Sequence, residues 1–251
     1  MDAIELHNLT KVYKRQHLFS VQRTTGVESL DLTVKQGEVF GLLGLNGSGK
    51  TTTIKLILGL LKPTQGDARI LGERPSSLAM LRRVGYLPEV PYFYRYLTAS
   101  EILTFYGTLS GIDRIRERVD AILDMVGMTE IRDKRLGEFS KGMLQRIGLA
   151  QSLLHEPDLL VYDEPVSGLD PLAMQEMRAL IRKLKEQGKT VFLSSHLISE
   201  VERMCDRVAI LVKGKLVHVL EQKEWAGKDG ELERVFVENV AGSSDMGRIK
   251  I

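Results

Sequence analysis

The sequence predicts an α/β fold: a parallel sheet joined to a small antiparallel β-layer and interrupted by an inserted helical subdomain. Three observations predict it. Strand-length segments that stay apolar at successive positions recur at Val39–Leu43, Leu159–Tyr162, 191–193 and 208–212, the pattern of strands covered on both faces. The amino-terminal stretch instead alternates at period two, as half-buried antiparallel strands do. From about Pro88 to His155 the apolar residues fall at helical spacing.

Taken in order, Ile4, Leu6 and Asn8 alternate with mostly polar neighbours, as do Leu30, Leu32 and Val34, so the chain is expected to open on an antiparallel pair. Val39–Leu43 is then a buried strand, followed by a glycine-rich loop and an apolar helix that ends before Pro63. In the helical block Thr98 and Glu101 form a T-x-x-E capping box, with Ile102, Phe105, Tyr106 and Leu109 on one face of a helix running to Gly111. Asp113 is placed to cap a second helix through Ile115, Val119, Ile122 and Val126, ended by Gly127. A third begins at Ser140 and ends by Pro157. The chain therefore reads as one unit of 1–251. Its core with the β-layer covers 1–87 and 156–220, the helical subdomain 88–155, and a carboxyl-terminal extension 221–251.

With 35 basic and 33 acidic side chains among 251 residues the net charge is only +2, so no nucleic acid is expected as a partner. A 43% hydrophobic and 27% charged composition excludes a disordered or fibrous chain. The single cysteine, Cys205, excludes an intrachain disulfide. The amino terminus has neither the basic start nor the apolar stretch of a secretory signal, and no apolar run approaches the ~20 residues that span a bilayer. A cytoplasmic location is compatible with this, and any membrane-spanning partner would be a separate chain.

The chemistry begins at Gly44, Gly49, Lys50 and Thr51, which match G-x-x-x-x-G-K-[ST] between a predicted strand and a predicted helix. Successive backbone N–H groups of Asn46, Gly47, Ser48 and Gly49 can turn onto phosphate oxygens, and the helix start at Thr51 and Thr52 adds its positive end. Lys50 supplies a point charge and Thr51 a hydroxyl for Mg²⁺. The fold is thus specified further as a P-loop NTPase core. Asp163 and Glu164 follow a buried strand, where ligands of open α/β sheets bind. Asp163 suits the surroundings or the coordination of Mg²⁺, and Glu164 suits deprotonation of an attacking water.

Phe139-Ser-Lys-Gly-Met143, about 20 residues before Asp163, resembles the L-S-G-G-Q signature of ATP-binding cassette (ABC) proteins. With it, residues of roughly 4–220 fall into that family's order. Tyr13 resembles the aromatic that stacks on adenine, Glu89 stands where the loop glutamine usually is, 167–170 resembles the D-loop, and His196 the switch histidine. The resemblance implies ATP and Mg²⁺ as cofactors, with Glu164 and His196 catalytic and Thr51, Asp163 and Glu89 near the metal. It also implies that Ser140 and Gly142 complete the ATP held by a second copy or a homologous ATPase subunit. The implied function is the ATP-hydrolysing subunit of a transporter, attached to the cytoplasmic face of the cell membrane through separate integral membrane subunits. A soluble ATPase clamping nucleic acid or the ribosome is the alternative.

Departures from the family pattern are Phe139, Lys141 and Met143 in the signature and Glu89 for glutamine. The run Leu87-Pro-Glu89 and the Ser-Lys-Gly-Met form resemble cassettes of export-type (ABC-2-like) systems, as does the stretch 231–238. Two residues keep a second reading: Ser140 and Asp170 are both natural helix caps. Tyr92, Phe93, Tyr94 and Tyr96, beside Glu89, suit either docking of a short helix of a membrane subunit or packing within the helical lobe.

Overall fold

A computed structural model describes residues 1–17 and 20–242. The chain opens on two long antiparallel strands, β1 (Asp2–His17) and β2 (Ser20–Lys35), with Ile4 opposite Val34 and Leu6 opposite Leu32. The alternation does not continue to Asn8. Asn8 adopts a left-handed backbone (φ 47°), donates its N–H to Asp31 Oδ1 at 2.8 Å, and is exposed. This irregularity returns Leu9 to the buried face, and asparagine tolerates it better than a branched residue would.

Next come β3 (Val39–Leu43), α1 (Lys50–Ile57), β4 (Gln65–Ile70), α2 (Leu78–Leu81) and β5 (Val84–Leu87). β4 adds a third strand to the layer, in the order β2-β1-β4. The helical block holds α3 (Ala99–Leu109), α4 (Ile115–Met125) and α5 (Lys141–Leu153). After it come β6 (Leu159–Tyr162), α6 (Pro171–Glu186), β7 (Thr190–Ser195), α7 (Ile198–Met204), β8 (Arg207–Val212), β9 (Lys215–Glu221), α8 (Gln222–Trp225) and α9 (Glu231–Gly242). The main sheet has the order β5-β6-β7-β3-β8-β9. Its strands are parallel except for β9, which is antiparallel to β8.

The continuous apolar runs have a simple cause. Val39 and Leu43 of β3 join one apolar cluster with Leu160, Tyr162, Val191, Leu193 and the helices α3 to α6. Phe40 and Leu42 join the other, with Leu159, Val161, Phe192, α1 and the β-layer. Successive side chains point to opposite faces, so a strand buried on both sides must be apolar at every position. Phe40 and Phe192 stack at 5.9 Å between ring centroids, locking β3 to β7. Trp225, Leu232 and Phe236 of α8 and α9 are buried in the first cluster; residues 243–251 lie outside the described residues.

The helical block follows its capping signals in part. The Thr98–Glu101 box forms, with Thr98 Oγ1 accepting from Glu101 N–H and Glu101 Oε2 from Thr98 N–H. The buried face of α3 is Ala99, Ile102 and Leu103, however, while Phe105 and Leu109 are 43% and 69% exposed. The neighbouring helices lie on the 99/102/103/106 side, and Phe105 turns instead to Tyr94, 6.4 Å away edge-on. Asp113 does not cap α4. Arg114 occupies the cap position with no side-chain bond, although Val119, Ile122 and Val126 are buried as the spacing predicts.

Candidate nucleotide site

Three adjacent parallel strands, β6, β7 and β3, end side by side. Their carboxyl ends release Asp163–Glu164, His196 and the 44–51 loop respectively, which is why residues distant in sequence meet. The loop turns into α1 at Gly49, which caps the helix in a left-handed conformation (φ 112°). A Cβ there would stand 2.4 Å from the Gly26 carbonyl oxygen. Gly49→Ala is therefore expected to cost about 1–3 kcal/mol from backbone strain, read as a lowered urea midpoint.

Lys50 is buried, donating to the carbonyls of Gly44 (2.7 Å) and Leu45 (3.3 Å) while standing 3.1 Å from Glu164 Oε1. His196 Nδ1 lies 2.8 Å from Glu164 Oε2, and its backbone N–H donates to the same oxygen at 3.3 Å. Glu164 is thus held at both oxygens. Its own backbone is left-handed (φ 50°), a conformation that non-glycine residues rarely adopt. Asp163 is buried beneath, its Oδ1 accepting the Ser194 hydroxyl at 2.6 Å. Its charge adds to burial in pushing the neighbouring Tyr86 phenol up to about 12.

An open cleft of about 650 Å³ runs over these groups, lined by Lys50, Thr51, Thr52, Glu89, Glu164 and His196, with Asn46, Gly47 and Gly49 on the loop side. Tyr13 forms its far wall. The Tyr13 hydroxyl lies 3.2 Å from Thr52 Oγ1, Lys11 stands 5.7 Å over its ring, and the absence of a side chain at Gly26 lets the ring lie close to β2. The residues fit a triphosphate. Gly47 and Gly49 line the cleft with left-handed backbones, Gly47 has no neighbour within 4 Å of a would-be Cβ, and Lys50 stands between them and Glu164, so backbone amides and one cation face the space where phosphate oxygens would lie. Of the residues assigned to the metal, Thr51 and Glu89 line the cleft while Asp163 does not. No cluster of three acidic, histidine or cysteine ligands exists among the described residues. Thr51 and Glu89 offer oxygens, which suits Mg²⁺ held mainly by phosphate and water.

A family model described as "ABC transporter" matches residues 27–167. The chain belongs to the ABC transporter family. Among its relatives is the bacitracin transport ATP-binding protein BcrA of Bacillus licheniformis, 45% identical over 217 residues, covering 85% of this chain and 68% of that one. The chain spans about two thirds of the length of the curated relatives it matches. A solved ATP-binding subunit of an ABC transporter superposes with a TM-score of 0.80 at 30% identity, over 94% of this chain and 98% of that one. A bacterial ABC transporter cassette solved as a dimer gives 0.79 at 25% identity, over 87% and 98%. These likenesses identify an ATP-binding (ATPase) subunit with the P-loop NTPase fold of ABC cassettes, and favour the transporter reading over the nucleic-acid clamp.

The segment that resembles the family signature lies elsewhere on the molecule. Ser140 caps α5, its hydroxyl accepting from Met143 N–H at 3.3 Å, and is exposed. Neither Ser140 nor Gly142 lines the Lys50 cleft; Gly142 faces a separate hollow with Leu169 and Glu176. Lys141, which departs from the family glycine, lies against Gly168. Asp170 caps α6 through Ala173 N–H at 2.9 Å. One guanidinium ties this region together: Arg146 of α5 donates to the Val126 carbonyl at 3.3 Å beyond the end of α4 and pairs with Glu176 of α6. Tyr92, Tyr94 and Tyr96 are 86%, 53% and 68% exposed, whereas Phe93 packs edge-on against Tyr106 at 6.3 Å. Sequence reasoning missed Ser194 and Gly26. A serine pair interrupting the apolar β7 was the available signal for the first; nothing local marked the second.

Proposed function

We propose that this ABC cassette works as a pair, each copy binding ATP in the Lys50 cleft and receiving the Ser140–Gly142 edge of the other. The observation that supports this reading most is the convergence of Lys50, Glu164 and His196 at the ends of three neighbouring strands, with the signature helix start absent from their cleft. Tyr13 would stack on the base and the 46–52 amides would hold the phosphates. Lys50 would bind the β- and γ-phosphates, Glu164 would take a proton from the attacking water, and His196 would hydrogen-bond the γ-phosphate. Mg²⁺, held by Thr51 and phosphate oxygens with Glu89 and Asp163 nearby, would supply neutralising charge. The exposed amides at Ser140 would meet the partner's γ-phosphate.

On this reading the chain sits at the cytoplasmic face of the membrane, bound to separate membrane-spanning subunits of an export-type system. Among the described residues no helix is long and apolar enough to cross a membrane. Tyr92, Tyr94 and Tyr96 form an exposed aromatic face beside Glu89 that would receive a short helix of such a subunit. In the absence of a membrane partner, and at concentrations where most of the protein is monomeric, the ATPase rate is expected to rise with the square of protein concentration. A first-order dependence at concentrations where the ATP-loaded protein is shown by mass to be monomeric would refute the paired mechanism.

A further inference from the structure

We propose that Ser194 is a positioning residue that holds the Glu164 backbone in its left-handed conformation. The inference rests on the reading of Glu164 as the base that activates water. Ser194 is fully buried in β7, beside the end of β6. Its hydroxyl donates to Asp163 Oδ1 at 2.6 Å and accepts the Glu164 N–H at 2.9 Å. A single side chain therefore uses its donor and its acceptor on two consecutive residues of the catalytic turn.

The position explains the arrangement. The β6–β7 ladder pairs Leu159 with Thr190 through Tyr162 with Leu193, and there it stops. At the next position the Asp163 N–H faces the other neighbour, donating to the Leu87 carbonyl of β5 at 2.9 Å. The Glu164 N–H is left at the sheet end with no strand partner, buried, at φ 50°. The Ser194 hydroxyl supplies the missing rung. Lys50 and His196 hold the Glu164 carboxylate, but both are groups that ATP would engage. Ser194 touches the peptide instead, so its grip persists whatever the carboxylate binds. The proton of the Ser194 hydroxyl is committed to Asp163, which fixes the oxygen lone pair on the Glu164 N–H.

A double-mutant cycle tests this. Ser194→Ala is expected to lower kcat by about 10- to 100-fold, the scale of a misplaced catalytic group, while the KM for ATP changes less than about twofold. In a Glu164→Gln background the same substitution should change the residual rate by less than about twofold, because the group it positions is already disabled. Ser194→Thr, which restores the hydroxyl, should recover most of the loss. Ser194→Cys keeps the volume with a weaker donor, fills the cycle if the alanine variant unfolds, and should fall between wild type and alanine. An unchanged kcat in both the alanine and cysteine variants overturns the proposal. So does an equal fold-loss in the wild-type and Glu164→Gln backgrounds, which would mark a merely structural role. If Glu164→Gln by itself retains full turnover, the reading of Glu164 as base fails, independently of the Ser194 result.

Discussion

Glu164→Gln is expected to reduce ATP turnover by about 10²- to 10⁴-fold while leaving ATP binding intact. The amide keeps the size of the carboxylate; its oxygen can still accept from Lys50, 3.1 Å from Oε1, while its NH2 can donate to a neutral His196 Nδ1 at the loss of the acceptor for the His196 backbone N–H. What it loses is the ability to accept a proton from water. Binding and chemistry should therefore separate: nucleotide affinity, followed by fluorescence, stays near the wild-type value, and single-turnover phosphate release slows. ATP-loaded dimers should then accumulate, because the step that opens them is blocked. Wild-type turnover in the variant would remove Glu164 from the chemistry.

The second large effect is expected at the signature. Gly142→Asp places a carboxylate in the first turn of α5, where a Cβ would meet Leu169, Ala173 and the Ser140 hydroxyl at 3.7, 3.9 and 4.0 Å, all ordinary contacts, so the fold accommodates it. A negative charge in the first turn also favours the helix itself, by about 0.3–1 kcal/mol. Stability should hold or rise. Hydrolysis should move the other way, because two unit charges 4 Å apart near a surface repel by about 4 kcal/mol, on the order of 10³-fold in pairing. Monomeric ATP binding should remain normal, since Gly142 does not line the cleft of its own chain. A variant that hydrolyses ATP at the wild-type rate would show that the partner's phosphates never approach this helix.

What could be read from the sequence follows a physical division. The strands around β3 were legible because each is buried on both faces and must be apolar throughout. The glycine loop, the Ser140 cap and the Thr98–Glu101 box were legible because each is a contact between residues a few positions apart. β4 and β9 escaped notice because they lie at sheet edges with mostly exposed side chains, and β5 because four residues including Gly85 carry too little pattern. The outward turn of Phe105 and Leu109 was not legible, since two neighbouring apolar stripes on one helix are equivalent until their neighbours are known. The Ser194 bridge depends on the register between two strands some thirty residues apart, which no local spacing encodes.

The position of Arg146 bears on how movement would pass through the molecule. Its guanidinium spans three helices, and its ion pair is partly solvent-exposed, so its worth in stability is small. Its geometric reach is larger. It links the end of α4 to α6 at one turn, and α6 starts directly after the 167–170 loop, whose Ser167 N–H donates to the Glu164 carbonyl. The three helices already share an apolar cluster, and the guanidinium adds the polar tie that fixes their register at this turn.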